Sequence, residues 1–462
     1  MIERIPRLAL VVLVVGLAAH NLALGLLWEA GLPSGPFGLL SAWKEGVLLA
    51  GLAAAALVAL RRRNGLRFEH ADRFALAYTL AVLLWWVLPQ GWLGGEATAA
   101  GEAHAVRHHL LPVAGYLLGR LTPLDARAWR KLCGVILAVA AALAAWGFVD
   151  VYLLSLDAWR GTGVPGWYRD RLGFAYQCLS GLPENWVFNT GDETRPLRRL
   201  VSTFLSPLAT AYALVIALLL VAASRPRRVT LAAGALAFAG LLWTHTRGAF
   251  LALAVGLAVL ALLRHSLLHA GLAVASVAVA VAFLASYPSF APTASYTASE
   301  LTCLRANAVA EGGEGNALAG ADSSTRNHLR SLREGAATVL RHPWGYGPGN
   351  GGATASRTGA EVKAGESTYV ELAVDAGLPG ALAFVGWLAT LAVALRRRSA
   401  WLAASIVAVA AIGLQTDVIG VHWLAVTVFA LAGSALRQPF DEPNEARRSA
   451  SAGSTSTPSR ST

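Results

Sequence analysis

A handful of side chains in this chain are of types and in places that suit chemistry on an anion. The stretch "LLWTHTRGAF", residues 241–250, sets Arg247 beside His245 and two threonines inside an apolar segment. An arginine among such neighbours either snorkels to an interface or faces a cavity or an anion. The stretch "RPLRRLVSTFLSPLATAYAL" carries Arg195, Arg198 and Arg199 ahead of Pro207. A guanidinium presents paired donors in one plane, which suits the oxygens of a diphosphate. Arg199 stands nearest the following apolar run and is expected to be functional, whereas a neighbour can serve as a headgroup anchor. A third region reads "DSSTRNHLRSLREGAATVLRHPWGYGPGN" and then "AGESTYVELAVDAGLPGAL". Its polar and apolar spacing predicts an amphipathic helix over about 325–340, with Asp322, Ser323 and Ser324 as cap candidates and Arg326, Arg330 and Arg333 at helical spacing. Glu366, just before a long apolar run, is either a helix cap or a general base able to take a proton from a sugar hydroxyl. Lys44, Arg107 and Tyr369 are further candidates for contact with diphosphate or sugar, alongside Arg195, Arg198 and Arg326. Lys44 and Glu45 are expected to reach different partners, and Asp417 could neutralise one of the arginines.

The elements that must position these groups are membrane helices. Of 462 residues, 55% are hydrophobic and only 14% charged, with mean hydropathy +0.52. Apolar runs recur at about 6–29, 38–60, 73–92, 106–119, 133–154, 203–223, 229–244, 248–263, 266–286, 367–395, 400–418 and 420–436. The expected fold is therefore all-α, a polytopic membrane protein of about twelve transmembrane helices. The first run lacks a cleavage site followed by a soluble domain and reads as a retained span. The net charge of +11 comes from short basic clusters between the runs, the pattern of the positive-inside rule rather than of a nucleic-acid binder. With those clusters inside, two large loops, about 155–202 and 287–366, fall on the extracytoplasmic side together with the turn at Arg247. One membrane domain covers 1–440, and the Ser/Thr/Pro/Arg-rich residues 441–462 read as a disordered cytoplasmic tail. Cys178 and Cys303 lie one in each outer loop, and a bridge between them is possible in an oxidising compartment. The 35 residues from 229 to 263 barely suffice for two spans. About 15 helical residues cover only roughly 22 Å of a core roughly 30 Å thick, so the "THTRG" turn should be sunk below the outer surface. No phosphate-binding loop, dinucleotide fingerprint or metal-spaced Cys/His cluster is present in the sequence. A substrate that brings its own activated group is expected, with no cofactor and no metal.

Four motifs in order, "RLVSTFLSPLATAY", "THTRGAFLAL", "HPWGYGPGN" and "ESTYVELAVDAGLPGALAF", resemble the O-antigen ligase / O-antigen polymerase family of bacterial membrane glycosyltransferases. The resemblance implies a metal-independent enzyme at the outer face of the inner membrane. It would pass a glycan from an undecaprenyl-diphosphate carrier to a saccharide acceptor, either a lipid-linked repeat or lipid A-core. By the same resemblance Arg199 and Arg247 would bind the diphosphate. Where ligases commonly have a His-Asn pair opening the helix after the second loop, this chain has Glu366-Ser367. That departure favours a polymerase over a ligase, with Glu366 in the histidine's role. Trp159, Trp167, Tyr168, Trp186 and Trp344 are aromatics of the outer loops that could stack on sugar rings. The alternatives are a protein O-oligosaccharyltransferase or a transporter of polysaccharide or lipid carrier. A transporter should carry its charges at mid-membrane on paired broken helices.

Overall fold

The computed structural model describes residues 2–62, 67–188, 196–311 and 323–437. Arg195, Asp322 and the tail 441–462 lie outside the described residues. Every one of the twelve expected apolar runs coincides with a helix. Six are long and apolar enough to cross a membrane: Arg4–Glu29, Trp43–Arg61, Ala126–Leu153, Arg247–Arg264, Leu267–Phe290 and Thr368–Leu395. Four more, Pro207–Ala223, Arg228–Trp243, Ala400–Gly413 and His422–Arg437, are apolar but shorter. The remaining two, His70–Val87 and Ala99–Leu121, carry charged residues. The chain is a multi-pass membrane protein.

Local signals account for the helix starts. Asp125, Thr98 and Ser206 each accept a backbone N–H from the first turn that follows, and Pro207 opens its helix where no donor is needed. One charge pair inside the bundle joins Arg120 to Asp72 at 2.7 Å, and the Tyr116 hydroxyl donates to the same carboxylate. The aromatic core sits between helices distant in sequence, with Trp387 4.8 Å from Phe429 and Phe384 5.2 Å from Tyr78 by ring centroids. Around it Val229, Leu231, Leu267, Leu268 and Val274 stand exposed, an apolar skin suited to lipid rather than water.

The segments expected as outer loops are folded. The first holds the short helices Leu156–Arg160 and Val164–Leu172 and the antiparallel hairpin Val187–Phe188 with Leu197–Arg198. The second holds Ala298–Glu311, Gly352–Thr358 and Ser323–Arg341, the last agreeing with the expected amphipathic helix. The two segments are joined. Arg198 N–H donates to the Pro292 carbonyl at 2.8 Å, Arg160 pairs with Glu300 at 2.8 Å, and Cys178 is bonded to Cys303.

The connector "HPWGYGPGN" docks into a break in the Thr368–Leu395 helix. Ala376 and Gly377 are non-helical there, and Gly377 at φ +65° is a conformation only glycine adopts cheaply. The freed backbone groups find partners in the connector: Tyr346 N–H donates to Val374 O at 2.6 Å, and Leu378 N–H donates to Pro343 O at 2.8 Å. Asp375 closes the clasp. One carboxylate oxygen accepts the N–H groups of Asn350 and Gly351 at 3.1 and 2.8 Å, and the other meets His109 at 2.8 Å.

Candidate active site

The hairpin strand ending at Arg198 is extended, so consecutive side chains leave on opposite sides. Arg198 turns inward to Asp150 at 2.9 Å, with both side chains buried, and so becomes part of the scaffold. Arg199 turns the other way, onto the "THT" turn. Its Nε donates to Thr244 O at 2.9 Å and an Nη donates to the Thr246 hydroxyl at 3.1 Å. The turn is tight because His245 adopts φ +53°, with its ring tilted against Phe188 and Tyr287 at centroid distances of 4.4 and 5.1 Å. Arg247 then opens the next helix, at the end where backbone N–H groups favour an anion. Burial and, after the opposing effect of Tyr287, the positive charge of Arg247 lower Arg199 to about 10, so it remains charged near neutrality. Among the described residues no carboxylate pairs with Arg199. The two guanidinium groups are near enough for the charge of Arg247 to act on Arg199.

The third member arrives by way of the turn after the Ala400–Gly413 helix. Ser367 Oγ donates to Gly413 O at 3.1 Å, and the Thr368 N–H and hydroxyl both donate to Thr416 O, at 3.3 and 2.9 Å. Gly248, next to Arg247, packs so closely on Gln415 that a Cβ there would lie 1.9 Å from its Oε1. The helix starts that carry Arg247 and Glu366 are thus seated on one four-residue segment, 413–416. Glu366 adopts φ +68°, an unusual conformation for a non-glycine residue and one that tends to mark functional sites. Its Oε2 lies 2.9 Å from His328 Nδ1, with side-chain exposures of 51% and 26%.

The remaining candidates go elsewhere. The Tyr369 hydroxyl donates to Ala410 O at 2.7 Å, and Arg326 is exposed on the amphipathic helix. Lys44 and Glu45 do pair, at 3.4 Å, contrary to expectation. Both lie in the first turn of their helix, where long side chains can splay toward the same end, and Arg107 joins them at 3.3 Å from the same Glu45 oxygen. Among the described residues Asp417 takes no arginine; His108, projecting from the facing helix, is 2.8 Å away. Of the aromatics, Trp186 is fully buried, the Trp159 indole donates to Asp150 at 2.7 Å, Trp344 is exposed, and Trp167 and Tyr168 line a cavity. His328, Asp150 and the Asp375 clasp were not anticipated. Only a lone histidine on the polar side of a predicted amphipathic helix could have pointed to His328.

Residues 232–385 match a family model described as O-Antigen ligase. The matched stretch contains Arg247, Arg326, Glu366, Tyr369 and the docked connector, and leaves Arg199, Arg107 and Lys44 outside. No curated protein matches the chain.

Proposed function

We propose that this member of the O-antigen ligase / polymerase family is an inverting, metal-independent glycosyltransferase working at the outer face of the bacterial inner membrane. The donor is a glycan on undecaprenyl diphosphate, and the acceptor is a sugar hydroxyl. The observation that carries the reading is the convergence of Arg199, Arg247 and Glu366 around the "THT" turn and segment 413–416. Two guanidinium groups supply the charge for a diphosphate, and a half-exposed carboxylate stands on the same support. The Cys178–Cys303 bridge supports an extracytoplasmic place for these segments, since disulfides persist in oxidising compartments.

The chemistry is a single displacement. The acceptor oxygen attacks the anomeric carbon as Glu366 takes its proton, the bond from that carbon to the diphosphate oxygen breaks, and the carrier diphosphate departs with the electron pair. Arg199 and Arg247 neutralise the growing charge. Preorganised donors of this kind are worth about 2.7–4 kcal/mol each. His328, hydrogen-bonded to Glu366, holds the carboxylate in place. The Glu366-Ser367 pair in place of His-Asn favours extension of a lipid-linked repeat over transfer to lipid A-core.

The test is conversion of a lipid-diphosphate-linked oligosaccharide to longer products by the purified full-length protein in detergent. Arg247→Ala is expected to abolish product while leaving membrane insertion intact, and Glu366→Gln to remove most turnover. Near-normal activity of Arg247→Ala would refute the diphosphate role, and unchanged turnover of Glu366→Gln would return that residue to capping.

A further inference from the structure

Next to the arginine site, bounded by Ser206 and Asp417, lies a cavity of about 450 Å³, within the roughly 300–1,000 Å³ usual for a ligand site. Its wall gathers Lys44, Arg107, Arg171 and Arg357 from four separate stretches of the chain. The acidic groups at hand are fewer. Lys44 and Arg107 share one oxygen of Glu45, at 3.4 and 3.3 Å, and Asp417 is engaged by His108 at 2.8 Å. Arg357 has no carboxylate partner among the described residues, and its guanidinium lies over the Phe174 ring, 5.9 Å from the centroid. Lys44, Arg107 and Arg357 against Glu45 and Asp417 leave this part of the wall with one more cation than carboxylate. Burial first, and then Arg107, lower Arg357 to about 10, as expected where like charges face one another. Trp167, Tyr168 and Phe174 also line the cavity.

A cationic chamber with aromatic walls matches a sugar that carries an acidic group. The ring can pack on the aromatics while a carboxylate or phosphate relieves the repulsion. The donor diphosphate already has Arg199 and Arg247, which do not line this chamber. Ser206, which caps the helix after the arginine hairpin, and Asp417, next in sequence to segment 413–416, both line the chamber.

We propose that this cavity is the acceptor site and that it selects an acidic saccharide, bearing a carboxylate or phosphate, held by Arg357, Arg107 and Lys44. That there is an acceptor sugar at all rests on the function proposed above; the selection for negative charge goes beyond it.

The experiment is equilibrium binding without donor, using full-length protein in nanodiscs of zwitterionic lipid. The probes are a fluorescent glucuronate-containing tetrasaccharide, a neutral tetrasaccharide of equal length and a sugar monophosphate. The acidic tetrasaccharide should bind at least about tenfold more tightly than the neutral one, with affinity falling as salt rises. The sugar monophosphate should compete with it. Arg357→Gln and Lys44→Gln should each remove most of that preference, whereas Arg247→Ala should keep it. Equal binding of acidic and neutral probes overturns the proposal, as does loss of acidic binding in Arg247→Ala or its displacement by a short-chain prenyl diphosphate, either of which would make the chamber the donor's. If a glutamine variant fails to fold, the wild-type comparison of probes still decides. The two readings fail separately. Turnover retained in Arg247→Ala refutes the transferase chemistry but not the binding preference, and indifferent probes refute the preference but not the chemistry.

Discussion

Replacing Arg199 by lysine separates charge from geometry at the proposed diphosphate site. Of the five N–H donors on a guanidinium, two are spent on Thr244 O and Thr246 Oγ1, which leaves three and fixes the plane in which they lie. A lysine can keep the positive charge, but it cannot hold the turn and also present two donors in a plane. The loss should be about one charge-assisted hydrogen bond, roughly 1.5–3 kcal/mol. At 1.36 kcal/mol per tenfold change, this is about 10- to 150-fold in kcat/KM. Alanine removes the charge as well and should cost at least the roughly 100- to 1,000-fold typical of a lost oxyanion donor. The assay is chain extension from a lipid-diphosphate glycan, with thermal unfolding in detergent as the control for folding. A lysine variant within about twofold of wild type, less than 0.5 kcal/mol of barrier, would mean that planar recognition by Arg199 plays no part.

Other consequences are structural. Asp150→Asn leaves Arg198 as an unpaired buried charge and should destabilise the protein by about 3–5 kcal/mol, read as a lower unfolding temperature and reduced yield; an unchanged melt would show the pair to be dispensable. Replacing Cys178 and Cys303, 125 positions apart in sequence, together by serine should cost about 2–4 kcal/mol and expose the outer segments to protease. Wild type treated with reductant should behave in the same way. Gly352→Ala forces a side chain onto a residue at φ +48°, with its Cβ 2.1 Å from the Glu371 carboxyl carbon. Strain of about 1–3 kcal/mol and a similar overpacking cost should undock the connector and abolish turnover, whereas wild-type behaviour would show that the connector can move aside.

Hydropathy is a local property, and for that reason the helices were legible. Each apolar run predicts its own element, and all twelve expected runs fall on helices, with Ser323–Arg341 where amphipathic spacing put it. The arginines stood out in the same way, because a guanidinium in an apolar context is anomalous whatever surrounds it.

Pairing depends on residues far apart in the chain, and only the tertiary structure decided it. Arg198 and Arg199 are adjacent and alike in sequence, yet the hairpin sends one to Asp150 and the other to the turn beside Arg247. Lys44, Arg107, Arg171 and Arg357 belong to no common motif and become one cationic chamber only when four stretches of chain fold together. The same holds for Glu366, whose neighbours in sequence suggested a helix cap. Its partner His328 is 38 residues away, on a helix that only packing brings alongside.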